Sequence, residues 1–221
     1  MATDTRDRIV HTAMRLFAEK GYGSTSVADL LSAAEVNSGS LYYFFPGKQD
    51  VLTGVLDAYH EGIEPMLLAP AWRKIDDPIE RVFALLASYR KRLKATDCSY
   101  ACPIGSIALE LHEPDPQVRE RLSANFEAWI DAVDRCYAAA AARLPADVNT
   151  HALAVFTLTT MEGGVMLART FRDLAPFDAA VQALRSYLDL LQHPAAARAD
   201  EPRTRKPRPR RRTQDPSHTK D

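Results

Sequence analysis

Apolar residues recur at helical spacing through most of this 221-residue chain, and this pattern limits its fold more than any other feature. Ile9, Ala13 and Leu16, for example, stand at positions i, i+4 and i+7, which share one face of an α-helix. Few segments alternate as a half-buried strand would, and helix-favouring alanine, leucine, arginine and glutamate fill the periodic stretches. The sequence therefore predicts an all-α protein. The predicted helices cover residues 4–20, 26–33, 37–44, 48–64, 78–95, 115–143, 147–172 and 177–192.

Glycine and proline divide the chain into parts. Six of the nine glycines fall between residues 21 and 62, so this region makes more sharp turns than the rest. We therefore expect a compact unit of short helices over residues 1–50 and a larger helical bundle over 51–193. Pro65 and Pro70 are expected to separate helices, because proline cannot donate the backbone hydrogen bond of a helix interior.

Charge is spread unevenly along the chain. Residues 194–221 hold nine Lys or Arg against four Asp or Glu, which gives this segment +5 although the whole chain is −1. No large apolar residue follows Ala197, so the segment cannot bury enough surface to offset its ordering entropy. The sequence predicts a disordered basic tail rich in proline and arginine. Its role stays open between salt-sensitive attraction to DNA and a solvated end with little function.

Signals for membrane insertion, export and metal binding are weak. No apolar run approaches the ~18 residues of a membrane-spanning helix, and the N-terminus is charged and amphipathic. Three cysteines, an odd number, favour reduced thiols in a cytoplasm over a secreted disulfide scaffold. Cys98 and Cys102 are four positions apart, but no His or Cys pair stands near them at zinc-site spacing. We therefore expect a cytoplasmic protein with no membrane segment, metal or cofactor.

Two short helical units stand close together near the N-terminus. Residues 26–33 and 37–44 flank a tight turn at 34–36, which is a helix-turn-helix spacing. Apolar residues of both units can pack with Leu16 and Phe17 into one small core. Polar side chains of the second unit then point outward, namely Asn37, Ser38, Ser40 and Tyr43. Such a helix can enter the major groove of DNA, where hydroxyls can contact base edges.

Several residues around these units suit contacts with DNA. Asn37 is a favoured N-cap, and Gly39 lets the backbone approach a phosphate or a base. Thr25 and Ser26 open the first unit in the same way. Lys48 begins the next helix, where an ammonium group is well placed for a phosphate.

Residues 5–52 resemble the DNA-binding domain of the TetR family of bacterial one-component transcriptional regulators. The resemblance lies in LFAEKGY at the end of the first helix, TSVADL at the start of the second, and GSLYYFFPGK through the third into the fourth. It implies a three-helix DNA-binding domain with phosphate contacts and base contacts. The implied phosphate contacts are Thr25, Tyr42 and Lys48, and the implied base contacts are Ser38, Gly39, Ser40 and Tyr43.

Two positions depart from the family pattern. The family commonly has glycine in the turn where this sequence has Glu35, and a left-handed conformation there would cost roughly 1 kcal/mol relative to glycine. Family members often have serine where Gly47 lies, and glycine is a weaker helix start. Residues 1–50 carry five basic and six acidic residues. DNA binding would therefore rest on surface pattern and dimer geometry rather than on net charge.

The bundle offers two routes to regulation. The stretch CSYACPIGSIALEL resembles a branch of the same family in which some members respond to electrophiles or oxidants through a cysteine that matches Cys102. Cys102 precedes Pro103 at a predicted helix N-terminus, whose dipole would lower the thiol pKa, unless Cys102 is simply a small buried residue. A small-molecule cavity is the other route, although the same stripe fits a plain core. Its candidate residues are Tyr89, Tyr100, Cys102, Phe126, Trp129, Met161 and Met166. Glu110 and Glu162 could select a cationic effector or form exposed salt bridges.

By the same resemblance, residues 147–172 and 177–192 form a homodimer interface, so that paired recognition helices contact successive major grooves. The resemblance implies a repressor of a palindromic operator that a small-molecule or electrophile effector releases. An activator of the same family, a helical enzyme and an interaction protein without DNA binding are the alternatives. The chain has no nucleotide-binding glycine loop, G-x-S-x-G elbow or H-E-x-x-H, so we expect no catalytic site.

Overall fold

The computed structural model describes residues 2–193, and all regular structure in this range is helical. The α-helices are α1 (Ala2–Lys20), α2 (Val27–Ala34), α3 (Ser38–Phe44), α4 (Lys48–Gly62), α5 (Ala69–Trp72), α6 (Pro78–Ala95), α7 (Pro103–Glu110), α8 (Pro116–Ala139), α9 (Thr150–Phe171) and α10 (Ala175–Gln192). The all-α prediction is confirmed. The predicted tail, 194–221, lies outside the described residues.

The predicted helix break at Pro65 is wrong. A π-helical segment, Ile63–Leu68, continues α4 through this proline and leads directly into α5. In a π-helix each backbone N–H donates to the carbonyl five residues earlier, so the hydrogen bonds around Pro65 are shifted by one residue relative to an α-helix. The helix thus continues although Pro65 has no N–H to donate. A Cβ at Gly62 would lie 2.7 Å from the Met66 sulfur, so the glycine leaves room for this turn. Pro70 does not separate helices either, because α5 follows the π-helical segment without a break and Pro70 lies in its first turn.

The helices enclose two apolar cores. The N-terminal core joins α1, α2, α3 and the first half of α4, and its fully buried members include Ile9, Leu30 and Leu41. Ile107 of α7 and Val118 of α8 also belong to it, so the long helices pack directly against the short ones. Because α4 contributes to the N-terminal core and then runs on into the bundle, it connects the two parts rigidly.

The second core lies inside the bundle of α6, α8, α9 and α10. Its largest fully buried side chains include Tyr137 and Phe177. Two bidentate ion pairs join α6 to α10 at the surface. Arg90 donates two hydrogen bonds to the Asp178 carboxylate at 2.6 and 2.7 Å, and Arg185 donates two to the Glu80 carboxylate at 2.8 and 3.0 Å. The bundle is thus held mainly by burial of apolar surface, with surface pairs that each add little.

Helix α9 is the only helix in the described part of the chain that is apolar over a membrane-spanning length. By length and composition it could cross a membrane, which the sequence analysis did not anticipate. It packs along α8 and α10, and its Leu153, Met161 and Val165 side chains lie in the bundle core. Helix α9 is therefore a core helix of the bundle.

Candidate functional site

Short-range hydrogen bonds fix the start of α2 and the start of α3 on either side of a tight turn. The Ser26 hydroxyl accepts the Asp29 N–H at 3.1 Å, while the Ser26 N–H donates to the Asp29 carboxylate at 2.8 Å. The Ser26 hydroxyl also donates to the Asp29 carboxylate at 2.5 Å, and the two bonds that Ser26 donates to this carboxylate lower the pKa of Asp29 to about 2. Glu35 then reverses the chain with a left-handed φ of 53°, and Asn37 Oδ1 accepts the Ser40 N–H at 2.8 Å to begin α3. The two helices are thus fixed as a helix-turn-helix.

Helix α3 buries one face and exposes the other. Leu41 is fully buried in the N-terminal core, whereas Tyr42 and Tyr43 are 51% and 79% exposed. Ser38 and Gly39 are exposed beside them. Two large exposed aromatic side chains on so short a helix form an apolar and hydroxyl-bearing surface that the fold itself does not use. This surface is the candidate DNA-binding face.

Of two further residues that were predicted to contact DNA, one is exposed and the other is buried. Ser26 is exposed at the start of α2. Thr25 is fully buried, and its hydroxyl donates to the Gly21 carbonyl at 2.8 Å. The Thr25 N–H donates to the Tyr22 carbonyl at 3.2 Å. Both donors of Thr25 therefore serve the α1–α2 turn, and the structure does not bring its side chain to the exposed face.

Lys48 lies at the first turn of α4 with its Nζ 4.2 Å from the centroid of the Tyr22 ring. Partial burial lowers the pKa of this ammonium, against the attraction of Glu110 and Asp29. None of the ion pairs within 4.0 Å among residues 2–193 involves Lys48. A cation held over an aromatic face and not engaged by a carboxylate is available to a phosphate.

The Glu110 side chain adds a polar contact between the bundle and the helix-turn-helix unit. The Glu110 carboxylate, at the C-terminal end of α7, accepts the Tyr22 N–H at 2.8 Å and the Gly23 N–H at 2.5 Å. A Cβ at Gly21 or Gly23 would lie 3.1 or 2.8 Å from Glu110 Oε1, so both glycines let the carboxylate approach. A carboxylate at a helix C-terminus opposes the helix dipole, and these two N–H groups compensate for it.

Aromatic side chains line a cavity of about 110 Å³ between α4, α6, α8 and α9. Six of the seven predicted pocket residues line it, namely Tyr89, Tyr100, Cys102, Phe126, Trp129 and Met161. Met166 lies instead in an adjoining open groove of about 770 Å³ between α7 and α9. Three further residues line the cavity and were not predicted from the sequence, namely Tyr59 of α4, Met66 of the π-helical segment and Arg92 of α6. Only aromatic and apolar periodicity in residues 48–68 could have indicated the first two.

The predicted lowering of the Cys102 pKa is wrong. Cys102 does cap the N-terminus of α7, but it is buried, and burial together with the nearby Glu162 carboxylate raises the pKa of the thiol far above its usual value. The desolvation cost of a buried thiolate exceeds the favourable helix dipole. Cys98 and Cys136 are also free and buried.

Comparisons with known proteins agree with this geometry. Residues 9–55 match the family described as bacterial regulatory proteins, tetR family. Residues 78–183 match the C-terminal domain of LmrA/YxaF-like transcriptional regulators. An uncharacterised HTH-type transcriptional regulator of Mycobacterium tuberculosis is 32% identical over 191 residues, which cover 83% of this chain and 93% of that one. This chain belongs to the TetR family.

Two more relatives have informative names. The HTH-type transcriptional repressor DhaR of a Mycobacterium species is 25% identical to this TetR-family protein, over 80% of this chain and 88% of DhaR. A cysteine mutant of the TetR-family regulator CifR, solved with a 26-bp operator duplex, is 26% identical and superposes with a TM-score of 0.67. That match covers 82% of this chain and 96% of the CifR chain. The protein described here is a helix-turn-helix transcriptional regulator, and its family consists of DNA-binding regulators rather than enzymes.

Helices α9 and α10 of this TetR-family regulator expose a further apolar surface. Phe156 and Tyr187 are each nearly half exposed, and their rings contact edge to face with centroids 6.1 Å apart. The other exposed apolar side chains of these helices are Val155, Met166, Leu167, Phe171 and Leu190. Other apolar residues within the two predicted interface ranges lie in the bundle core instead, namely Leu153, Val165, Leu184 and Leu188. We name the exposed set, from Val155 to Leu190, the α9–α10 face.

Proposed function

We propose that this TetR-family regulator is a homodimeric repressor that binds a palindromic operator through residues 37–44 and is released by a small molecule. The exposed surface of α3 carries this proposal, because the fold buries Leu41 of that helix and leaves the Tyr42, Tyr43 and Ser38 side chains exposed. Hydroxyls on a helix of this kind can contact base edges in a major groove. The relative named a repressor, DhaR, supports repression over activation.

The α9–α10 face supports the homodimer. Exposed aromatic and aliphatic side chains such as Phe156 and Tyr187, whose rings touch, are typical of interfaces, and a two-fold axis would let one copy of the face cover the other. A dimer of this sort presents two α3 helices to DNA, spaced for half-sites about one helical turn apart. The same proposal places the protein in the cytoplasm, where bacterial operator DNA lies.

Selection from random DNA tests this function. Purified protein should enrich duplexes with a two-fold symmetric sequence whose half-site centres lie roughly 34 Å apart. The double variant Tyr42→Ala/Lys48→Ala should enrich no sequence, and it keeps every buried residue of the N-terminal core. Enrichment of no sequence by the parent protein, or of the same sequence by the double variant, would contradict the proposed DNA face.

Helix α7 provides the route from the effector to the DNA-binding face. The cavity and the groove contact the start of this helix at Cys102 and Gly105, and its end holds the α1–α2 turn through Glu110. A ligand that displaces α7 would therefore also move the turn that carries Ser26. The ligand must bind the released conformation more tightly, because only differential affinity shifts such an equilibrium.

We expect Glu110→Ala to uncouple these two parts. Coupling between sites is reciprocal, so operator binding to the parent protein should slow amide exchange within α7, and Glu110→Ala should abolish that effect. The free variant should also exchange the Tyr22 and Gly23 amides roughly tenfold faster, since a charged acceptor is lost. Hydrogen-exchange mass spectrometry measures both, with Glu113→Ala as the control acid. Equal α7 protection by operator in both proteins would refute this route.

A further inference from the structure

Glu162 of α9 stands where the cavity meets the open groove, and it lines both. Its Oε2 lies so close to α7 that a Cβ at Gly105 would collide with it. Cys102, at the start of α7, lines both the cavity and the groove together with this carboxylate. The carboxylate therefore faces the N-terminal end of the same helix that holds the DNA-binding unit at its other end.

The other carboxylate oxygen, Oε1, is buried and accepts no hydrogen bond from the described residues. Glu162 also takes part in none of the ion pairs within 4.0 Å among residues 2–193. Burial accordingly raises the pKa of Glu162. A buried carboxylate oxygen with no donor is unfavourable, so this position favours a ligand that brings an N–H, and above all a charged one.

The wall around Glu162 also favours a positive charge. The rings of Tyr89, Tyr100, Phe126 and Trp129 line the same cavity, and aromatic faces attract cations in a desolvated site. Two N–H donors nearby are already used within the wall: Trp129 Nε1–H donates to the Tyr89 hydroxyl at 3.2 Å, and Arg92 donates to the Tyr100 hydroxyl at 3.4 Å. Arg92 is exposed, and its guanidinium carbon lies 5.9 Å from the centroid of the Tyr100 ring. Its charge therefore lies at the solvent-exposed edge of the cavity.

We propose that the effector is an organic cation, a compact aromatic or apolar body with a protonated amine that donates to Glu162 Oε1. Calling this ligand the effector rests on the proposed function, whereas its binding does not. The apolar walls contact the body of the ligand, and the aromatic rings and the carboxylate contact its positive charge. Because Gly105 and Cys102 also line the site, a bound ligand would push on α7.

Calorimetry with a matched pair of small probes tests the site in the absence of DNA. Benzylamine is a cation at pH 7, and benzyl alcohol is its neutral counterpart of nearly equal size. The full-length protein should bind benzylamine at least roughly tenfold more tightly than benzyl alcohol. Glu162→Gln should remove that preference while still binding benzyl alcohol. Glu127→Gln, which changes an exposed acid on α8, should keep the preference.

Three outcomes would overturn the proposal: equal or tighter binding of benzyl alcohol by the parent protein, a preference that survives Glu162→Gln, or binding of neither probe. The first outcome would indicate a neutral ligand. Because the calorimetry contains no operator, none of these outcomes bears on repression. If the protein prefers benzylamine but benzylamine has no effect on operator affinity, the cation site is supported and its role as the effector site is contradicted. Failure of the cation site and failure of the effector role are therefore distinguishable.

Discussion

Lys48→Ala is expected to weaken operator binding by roughly 100-fold in the proposed homodimer. Each protomer would lose one phosphate contact, and a tenfold loss at each half-site multiplies across the dimer. The Lys48 ammonium lies over the Tyr22 ring and is engaged in no ion pair among the described residues, so its removal leaves no carboxylate unpaired. The loss should therefore appear in DNA binding and not in the free energy of unfolding.

The salt dependence of binding distinguishes a phosphate contact from a base contact. Two lost phosphate contacts should reduce the slope of log K against log salt concentration by about 2. Fluorescence anisotropy with the selected operator at several salt concentrations measures this slope. Tyr43→Ala should weaken binding to the operator without changing the slope, and Lys94→Ala, at an exposed position of α6, should change neither. An unchanged slope for Lys48→Ala would show that Lys48 does not contact a phosphate.

The sequence predicted those parts of the structure that depend on contacts between residues close together in the chain. The predicted bounds of α6, residues 78–95, agree with the structure, because Asp77 caps the helix through the Ile79 and Glu80 N–H groups and proline follows at the first position. The helix-turn-helix followed from the same kind of evidence. Its caps and its turn each depend on contacts within three or four residues, which a sequence displays directly.

Contacts between distant residues could not be predicted in this way. Glu110 lies 88 positions from Tyr22, and nothing in either segment indicates that they meet. The burial of Thr25 depends on how the α1–α2 turn folds back on Gly21 and Leu16. The raised pKa of Cys102 has the same origin, since it comes from burial in the bundle and from Glu162, which lies on a helix that begins almost 50 residues later. In each case tertiary packing decided the role of the residue.

The α9–α10 face leads to the second large expected effect, on dimerisation. Phe156→Asp should convert the protein to a monomer at micromolar concentration and reduce operator affinity roughly 1,000-fold. Phe156 is 48% exposed in the protomer, so an aspartate there stays hydrated in the monomer. In a two-fold interface both copies of the carboxylate would be buried without partners, and a combined cost of roughly 4 kcal/mol corresponds to that loss.

Sedimentation velocity gives the oligomeric state of the variant, and anisotropy with the selected operator gives its affinity. Ala87→Asp is the control, because Ala87 is an exposed residue on α6 that lies outside the α9–α10 face, the cavity and the groove. It should stay dimeric and bind operator normally. Circular dichroism should show parental helix content for both variants, since neither side chain is buried in the protomer. If Phe156→Asp remains a dimer with parental operator affinity, the subunits meet through another surface, and the half-site spacing no longer follows from α9 and α10.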